Sequence, residues 1–217
     1  MPKYHYDIKQ NTEEWDKIRL GRFTASTCAE LLMDSKNKGY QDLIAKIFEE
    51  RYTGEPCESA KFKGNGFTDR GHELEPVAIS DYEMSSFNDT KSVGFVSRGS
   101  WLGCSPDSLI NDNGLLQIKN PIFATQFKYL GIIKRYLDEL SDNDKLKKLD
   151  GKYYKQMQFE LSICSDREYN IFYSYHPKLP AIELKILPDI EMHDLIARKT
   201  EEAKKHIELL NNELKND

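Results

Sequence analysis

The 217-residue sequence predicts an α/β (α+β) fold, with helices flanking a central mixed β-sheet, from three observations. Segments of helical period occupy both ends of the chain, and strand-length apolar runs fill its middle. Asn111-Asp-Asn-Gly114 marks a tight turn between two of those runs. No repeat, low-complexity tract or linker interrupts the chain, so residues 1–217 read as one domain, long enough to bury a sizeable core.

Taken in order, Asn11-Thr-Glu-Glu14 has the form of a helix start, with Asn11 as N-cap and Trp15 and Ile18 facing inward. Gly21 breaks that helix, and Phe23-Thr-Ala-Ser26 leads into a second one through Leu31 and Leu32. From Tyr40 to Tyr52 the residues Leu43, Ile44, Ile47 and Phe48 recur at helical spacing, and Gly54 and Pro56 end the segment. Residues 67–86 read as a helix in which Pro76 imposes a kink or marks a first turn. Strands are predicted at 93–98, 101–105, 107–111 and 115–119, helices at 124–140 and 152–164, and strands at 169–175 and 182–187. A long helix opens at Pro188-Asp189 and carries Ile196, Ile207, Leu210 and Leu214 on one side.

Composition narrows the function classes without naming one. A mean hydropathy of -0.68 with 31% charged residues describes a soluble chain. No apolar run approaches the roughly 20 residues that span a bilayer, and the N-terminus lacks the form of a secretory signal, so a cytoplasmic protein is expected. Cys28, Cys57, Cys104 and Cys164 are dispersed, which argues for reduced thiols and against a zinc site, a disulfide frame or an iron–sulfur cluster. The net charge of -5 gives no general attraction to nucleic acid, so any DNA contact must use a local basic surface.

The chemistry-bearing stretch is Ser105-Pro-Asp107, followed after the turn by Leu116-Gln-Ile-Lys-Asn-Pro121. Side chains alternate along a strand, so Gln117 and Lys119 share one face while Leu116 and Ile118 point to the other. Asp107 sits beside the polar face across the hairpin. An acid, an oxygen ligand and a lysine on one sheet surface can hold a divalent metal and activate a water for phosphodiester hydrolysis. Taken alone, the same residues describe an ordinary hairpin with a solvated polar face.

A second segment, Trp15-Asp-Lys-Ile-Arg19-Leu-Gly21-Arg-Phe-Thr24-Ala-Ser26, offers an anion site. A serine at a helix N-terminus stands beside unpaired N–H groups, and Arg19 can clamp a phosphate. Its commonplace alternative is an N-cap next to a surface arginine. The order of motifs is more specific: Trp-x-x-x-Arg-Leu-Gly-x-x-Thr-Ala-Ser, Gly-x-x-x-Glu, Cys-Ser-Pro-Asp, x-x-Lys-x-Pro, then Gln-x-Gln. From Trp15 to Cys164 this series resembles the lambda-type phage exonuclease family of the PD-(D/E)xK nuclease superfamily, known also as viral recombinase-type alkaline exonucleases.

The resemblance implies a restriction-endonuclease-like core and a catalytic set. Glu75 is then a helix-borne acid at the metal, with Glu73 facing away. Asp107 is the central ligand, Gln117 the second ligand position, and the Ile118 carbonyl a further oxygen. Lys119 orients the attacking water and offsets transition-state charge. Gln156, and less so Gln158, line the site, and Arg19, Ser26 and Ser105 form a pocket for a 5′-phosphate. The implied activity is Mg²⁺-dependent 5′→3′ degradation of one strand of duplex DNA from its ends, with Mn²⁺ as substitute. A phage origin in a host cytoplasm, a trimeric ring around DNA and a single-strand annealing partner are implied with it.

Two departures qualify that set. Gln117 keeps a carbonyl oxygen but lacks the charge of the usual acid, which weakens metal binding. A lineage that uses Gln, an engineered replacement and an inactive DNA-end binder all fit it. The arginine expected after the catalytic lysine is absent, with Thr125 or Gln126 in its place. Basic clusters at Lys61, Lys63 and Arg70, and at Lys145, Lys147, Lys148, Lys152 and Lys155, flank the site in sequence, and Tyr153 or Tyr154 offers a ring for a frayed base. That placement favours contacts of both clusters to the DNA backbone, the commonplace alternative being a solvated charge run, unfolded at 141–151. An endonuclease of the same superfamily stays open beside the exonuclease and the binder.

Overall fold

The architecture is that of a computed structural model, which describes residues 1–58, 66–136 and 139–216. Its helices are α1 (Glu13–Arg19), α2 (Cys28–Leu31), α3 (Lys38–Thr53), α4 (Gly66–Ser86), α5 (Phe123–Arg135), α6 (Asp142–Leu149), α7 (Gly151–Ile163) and α8 (Ile190–Asn216). Its strands are β1 (Lys3–His5), β2 (Phe23–Thr24), β3 (Thr90–Lys91), β4 (Phe95–Arg98), β5 (Leu102–Cys104), β6 (Ser108–Ile110), β7 (Gly114–Lys119), β8 (Tyr169–His176) and β9 (Leu179–Ile186).

The α+β class holds, but the strands form two mixed sheets where one was expected: β1-β4-β5-β2 and β3-β6-β7-β8-β9. The short edge strands β1, β2 and β3 complete them. In the larger sheet β6 and β7 pair antiparallel across the predicted turn, with Ser108 opposite Leu116. Strand β8 then joins β7 in parallel. A parallel neighbour requires a long crossover, and α5, α6 and α7 supply it.

Local chemistry accounts for the helix ends. Thr12, not Asn11, caps α1, because Asn11 takes a left-handed φ of 63° and only the Thr12 hydroxyl reaches the Trp15 N–H. Asn37 caps α3, and Gly54 ends it at φ 73°. The run at 141–151 is not unfolded: Ser141 and Asp150 cap α6 and α7, and Leu146 and Leu149 are buried. Helix α4 runs through Pro76. On α8 Ile196 and Ile207 enter the core, whereas Leu214 is exposed.

The larger sheet has a buried group on each face. Leu115 joins the main core with Met157 and Leu161 of α7. Leu116 and Ile118 pack with Ala78 and Tyr82 of α4 and with Ile171 and Tyr173 of β8. The polar face predicted for β7 is therefore roofed by α7 rather than solvated, and Gln117 is 3% exposed. All four cysteines are buried. No helix among the described residues is long and apolar enough to cross a membrane.

Candidate active site

The β6–β7 hairpin sets the position of Asp107. Its backbone N–H donates to the Leu116 carbonyl at 3.1 Å. Its Oδ2 accepts from the Ile118 N–H and from Gln117 Nε2, both at 2.5 Å. From the N-terminal segment, Gln10 Nε2 donates to the carbonyls of Pro106 and Val93 and so ties down the residue just before the acid. Lys119 emerges at the end of β7 with Nζ 4.8 Å from the centre of the Tyr153 ring on α7.

Around this group the protein opens a cleft with two lobes, of about 540 and 440 Å³. Glu75, Asp107, Gln117 and Lys119 line both lobes and form the wall between them. Glu75 reaches it from α4, where burial pushes its carboxyl up and Lys119 draws it back down. Glu73 is exposed on the same helix, as its spacing requires.

Arg19, Ser26 and Ser105 meet in the smaller lobe, so the structure brings the expected phosphate group together. Gly21 makes this possible: it takes φ 63°, its N–H donates to Glu50 Oε2 at 2.9 Å, and its carbonyl accepts from Arg51. The segment turns back there, and the Arg19 guanidinium lies 3.8 Å from the centre of the Trp15 indole. The indole N–H in turn donates to Ser105 Oγ at 2.9 Å. Burial lowers the Arg19 pKa. Thr24 caps the turn that carries Ser26 and exchanges hydrogen bonds with Thr27.

The larger lobe contains Arg70, Ile118, Thr125 and Tyr153. Arg70 donates to the carbonyls of Asn120 and Pro121, immediately after the lysine. It brings a guanidinium to the side of the cleft where the sequence lacks one. Of the two residues at the missing arginine's place, Thr125 lines the lobe, while Gln126 is buried and bonded to Ser174 and Pro180. Tyr153 is the aromatic at the cleft; Tyr154 is a core residue whose hydroxyl donates to Asp189.

Gln156 and Gln158 separate completely. Gln156 lines the smaller lobe and donates through Nε2 to Gln117 Oε1 at 2.9 Å and to Glu160 Oε1 at 3.0 Å. Gln158, expected to line the site and contact DNA beside Gln156, is a correction. It is 0% exposed, two residues round the helix, and it pins Leu187, Asp189 and His193 at the start of α8. Two of the five lysines of the second basic cluster are ion-paired, Lys145 with Asp142 and Lys147 with Asp144 and Asp189. Lys61 and Lys63 lie outside the described residues.

Two participants went unread in the sequence, Gln10 and Glu160. Glu160 is fully buried on α7, lines the smaller lobe, and accepts from Gln156 and, through Oε2, from Asn170 Nδ2 at 2.7 Å. Burial pushes its carboxyl up to about 7 against the pull of those two amides.

As a donor set, the site offers oxygens from the carboxylates of Glu75 and Asp107 and from backbone carbonyls such as that of Ile118. That suits a hard divalent cation such as Mg²⁺ or Mn²⁺. Among the described residues no three acid, imidazole or thiol groups lie together as a metal cluster, so a cation here would take neutral oxygens too. The Gln117 amide stands with its nitrogen toward Asp107 and its oxygen toward Gln156.

Comparison with known proteins follows the same line. The model of the YqaJ-like viral recombinase domain matches residues 14–167. The alkaline exonuclease LHK-Exo from Laribacter hongkongensis is 28% identical at a TM-score of 0.72, over 94% of this chain and 99% of that one. Its complex with dAMP matches equally. A phage related exonuclease from Haemophilus somnus 129PT shares the fold at a TM-score of 0.66 and 15% identity, over 89% of this chain and 96% of that one. No curated protein matches the sequence.

Proposed function

The chain belongs to the YqaJ-like viral recombinase domain family, and from that premise we propose that it is a 5′→3′ exonuclease of double-stranded DNA ends that leaves a 3′ single strand for recombination. The observation that carries this reading is the wall between the lobes, where Glu75, Asp107, Gln117 and Lys119 face both sides. A terminal phosphate held by Arg19, Ser26 and Ser105 in the smaller lobe would bring the next phosphodiester to that wall. The complex of LHK-Exo with dAMP supports a nucleotide ligand for a chain of this kind.

Glu75 and Asp107, with the carbonyl of Ile118, would hold Mg²⁺ or Mn²⁺, and the Gln117 amide, whose nitrogen faces Asp107, would steady that carboxylate rather than ligate the ion. The ion, when bound, supplies Lewis acidity toward the phosphate and an acidified water. The protein's own part is orientation and charge: Lys119 positions the water and neutralises charge that develops on the phosphate oxygens. Arg70 offers a second cation on the opposite lobe, where the displaced strand would leave past Tyr153. Residues 1–217 act as one domain in this reading. It also entails a ring of three chains around DNA, an annealing protein as partner, and work in the cytoplasm of a phage host.

The test is a substrate panel with Mg²⁺ or Mn²⁺: linear duplex with a 5′-phosphate, the same duplex without it, and closed circular plasmid. The expected result is that only linear forms are consumed, the phosphorylated one faster, with mononucleotides as product. Cutting of the circle would favour an endonuclease, and a shift of intact linear DNA a binder. Arg19→Ala should erase most of the preference for a 5′-phosphate, about tenfold or more for a lost charge-assisted contact. Light scattering should give three times the 25.2 kDa of one chain.

A further inference from the structure

Position 117 of the strand lacks an acid, yet an acid stands two hydrogen bonds away. Glu160 is sealed beneath the cleft with both oxygens bonded to amides and, among the described residues, no lysine or arginine within ion-pair distance. A buried carboxylate without a cation is costly, and proteins keep such groups where a charge is used. Its geometry also sets the sense of a chain of amides. A carboxylate can only accept, so Gln156 must turn Nε2 toward Glu160. That nitrogen's second hydrogen goes to Gln117 Oε1, which leaves Gln117 Nε2 facing Asp107 Oδ2.

We propose that Glu160 is a positioning residue of the nuclease site. Through Gln156 it fixes the Gln117 amide against Asp107, and it supplies from α7 the negative charge that position 117 lacks. The inference rests on the metal-dependent nuclease reading, because the charge matters only if a cation sits at Asp107 and Glu75. A tie between α7 and β8 through Asn170 is the purely architectural alternative, and it makes opposite predictions.

Mn²⁺ affinity of the full chain without DNA separates them, measured by electron paramagnetic resonance titration and accompanied by thermal melting. Glu160→Gln should fold, since Gln still accepts from Gln156. A turn of the Asn170 amide would also give its buried, unpartnered Oδ1 a donor. It should bind Mn²⁺ about tenfold more weakly, the usual scale for a group that orients ligands. Gln117→Glu should bind more tightly than the natural chain, and the double variant Gln117→Glu/Glu160→Gln should return to at least the natural affinity. Steady-state kinetics of Glu160→Gln should show kcat reduced at unchanged KM for DNA.

Mn²⁺ binding by Glu160→Gln within twofold of the natural chain would overturn the proposal, and so would a double variant as weak as that single one. If Glu160→Gln fails to fold, the contrast between Gln117→Ala and Gln156→Ala decides. Both break the chain of amides, and Mn²⁺ binding unaffected in both would refute it. Asp107→Ala is the control for the underlying reading: if it binds Mn²⁺ like the natural chain, the metal site itself is misassigned.

Discussion

Asp107→Ala and Lys119→Ala should each lower hydrolysis of linear duplex DNA by about a thousandfold or more, the range seen when a single preorganised charge or donor is removed from a transition state. For Asp107 the loss is twofold in kind. The carboxylate disappears from the wall of the cleft, and the Ile118 N–H and Gln117 Nε2 lose the acceptor that fixes them. Asp107→Asn, which still accepts from Ile118, should be nearly as inactive, because charge and not hydrogen-bond capacity is what the reaction uses. For Lys119 the amine packs over Tyr153 at the rim of the cleft, so its removal should leave the melting temperature almost unchanged. Single-turnover assays with saturating Mg²⁺ make the check. Turnover by Lys119→Ala within tenfold of the natural chain would remove lysine from the mechanism.

The parts of this site that were legible are those whose signal is local. The turn at Asn111–Gly114 sets the hairpin register, and the register alone puts Asp107 beside Gln117 and Lys119. The helical spacing around Glu75 sends Glu73 outward without further information. Features that depend on long-range pairing were not legible. Strands β1, β2 and β3 have two or three residues each, too few for a period to show, so the division into two sheets stayed hidden. Gln158 entered with Gln156 through the Gln-x-Gln motif of the resemblance, as the lesser of the two, but residues two apart on a helix point in different directions. The partner of Gln156 is four residues on, at Glu160, where i and i+4 share a face. That spacing was present in the sequence. What the sequence could not show is that the roof over β7 is α7, which turns an ordinary helix acid into a buried one beneath the cleft.

Burial of Glu160 has a second consequence, in the pH dependence of folding. A carboxyl carried from an ordinary 4.5 to about 7 amounts to about 3 kcal/mol of ionisation penalty. Below pH 4.5 the acid is protonated in both the folded and the unfolded chain, and no penalty applies. Between 4.5 and 7 the folded chain keeps a proton that the unfolded chain has released, so this group's contribution to stability falls as pH rises. Above 7 the penalty is complete. Glu160→Gln is neutral throughout, so its melting temperature should match the natural chain near pH 4.5 and exceed it by about 5–10 °C at pH 8. Other carboxyls raised by burial, Glu75 and Glu183, are common to both proteins and cancel in the difference. Adding Mn²⁺ at pH 8 should close part of that gap, because a bound cation stabilises the folded state in proportion to its affinity and the natural chain binds it more tightly. A helix acid serving only as architecture would show the same pH trend, but the variant and its parent would then respond equally to the metal.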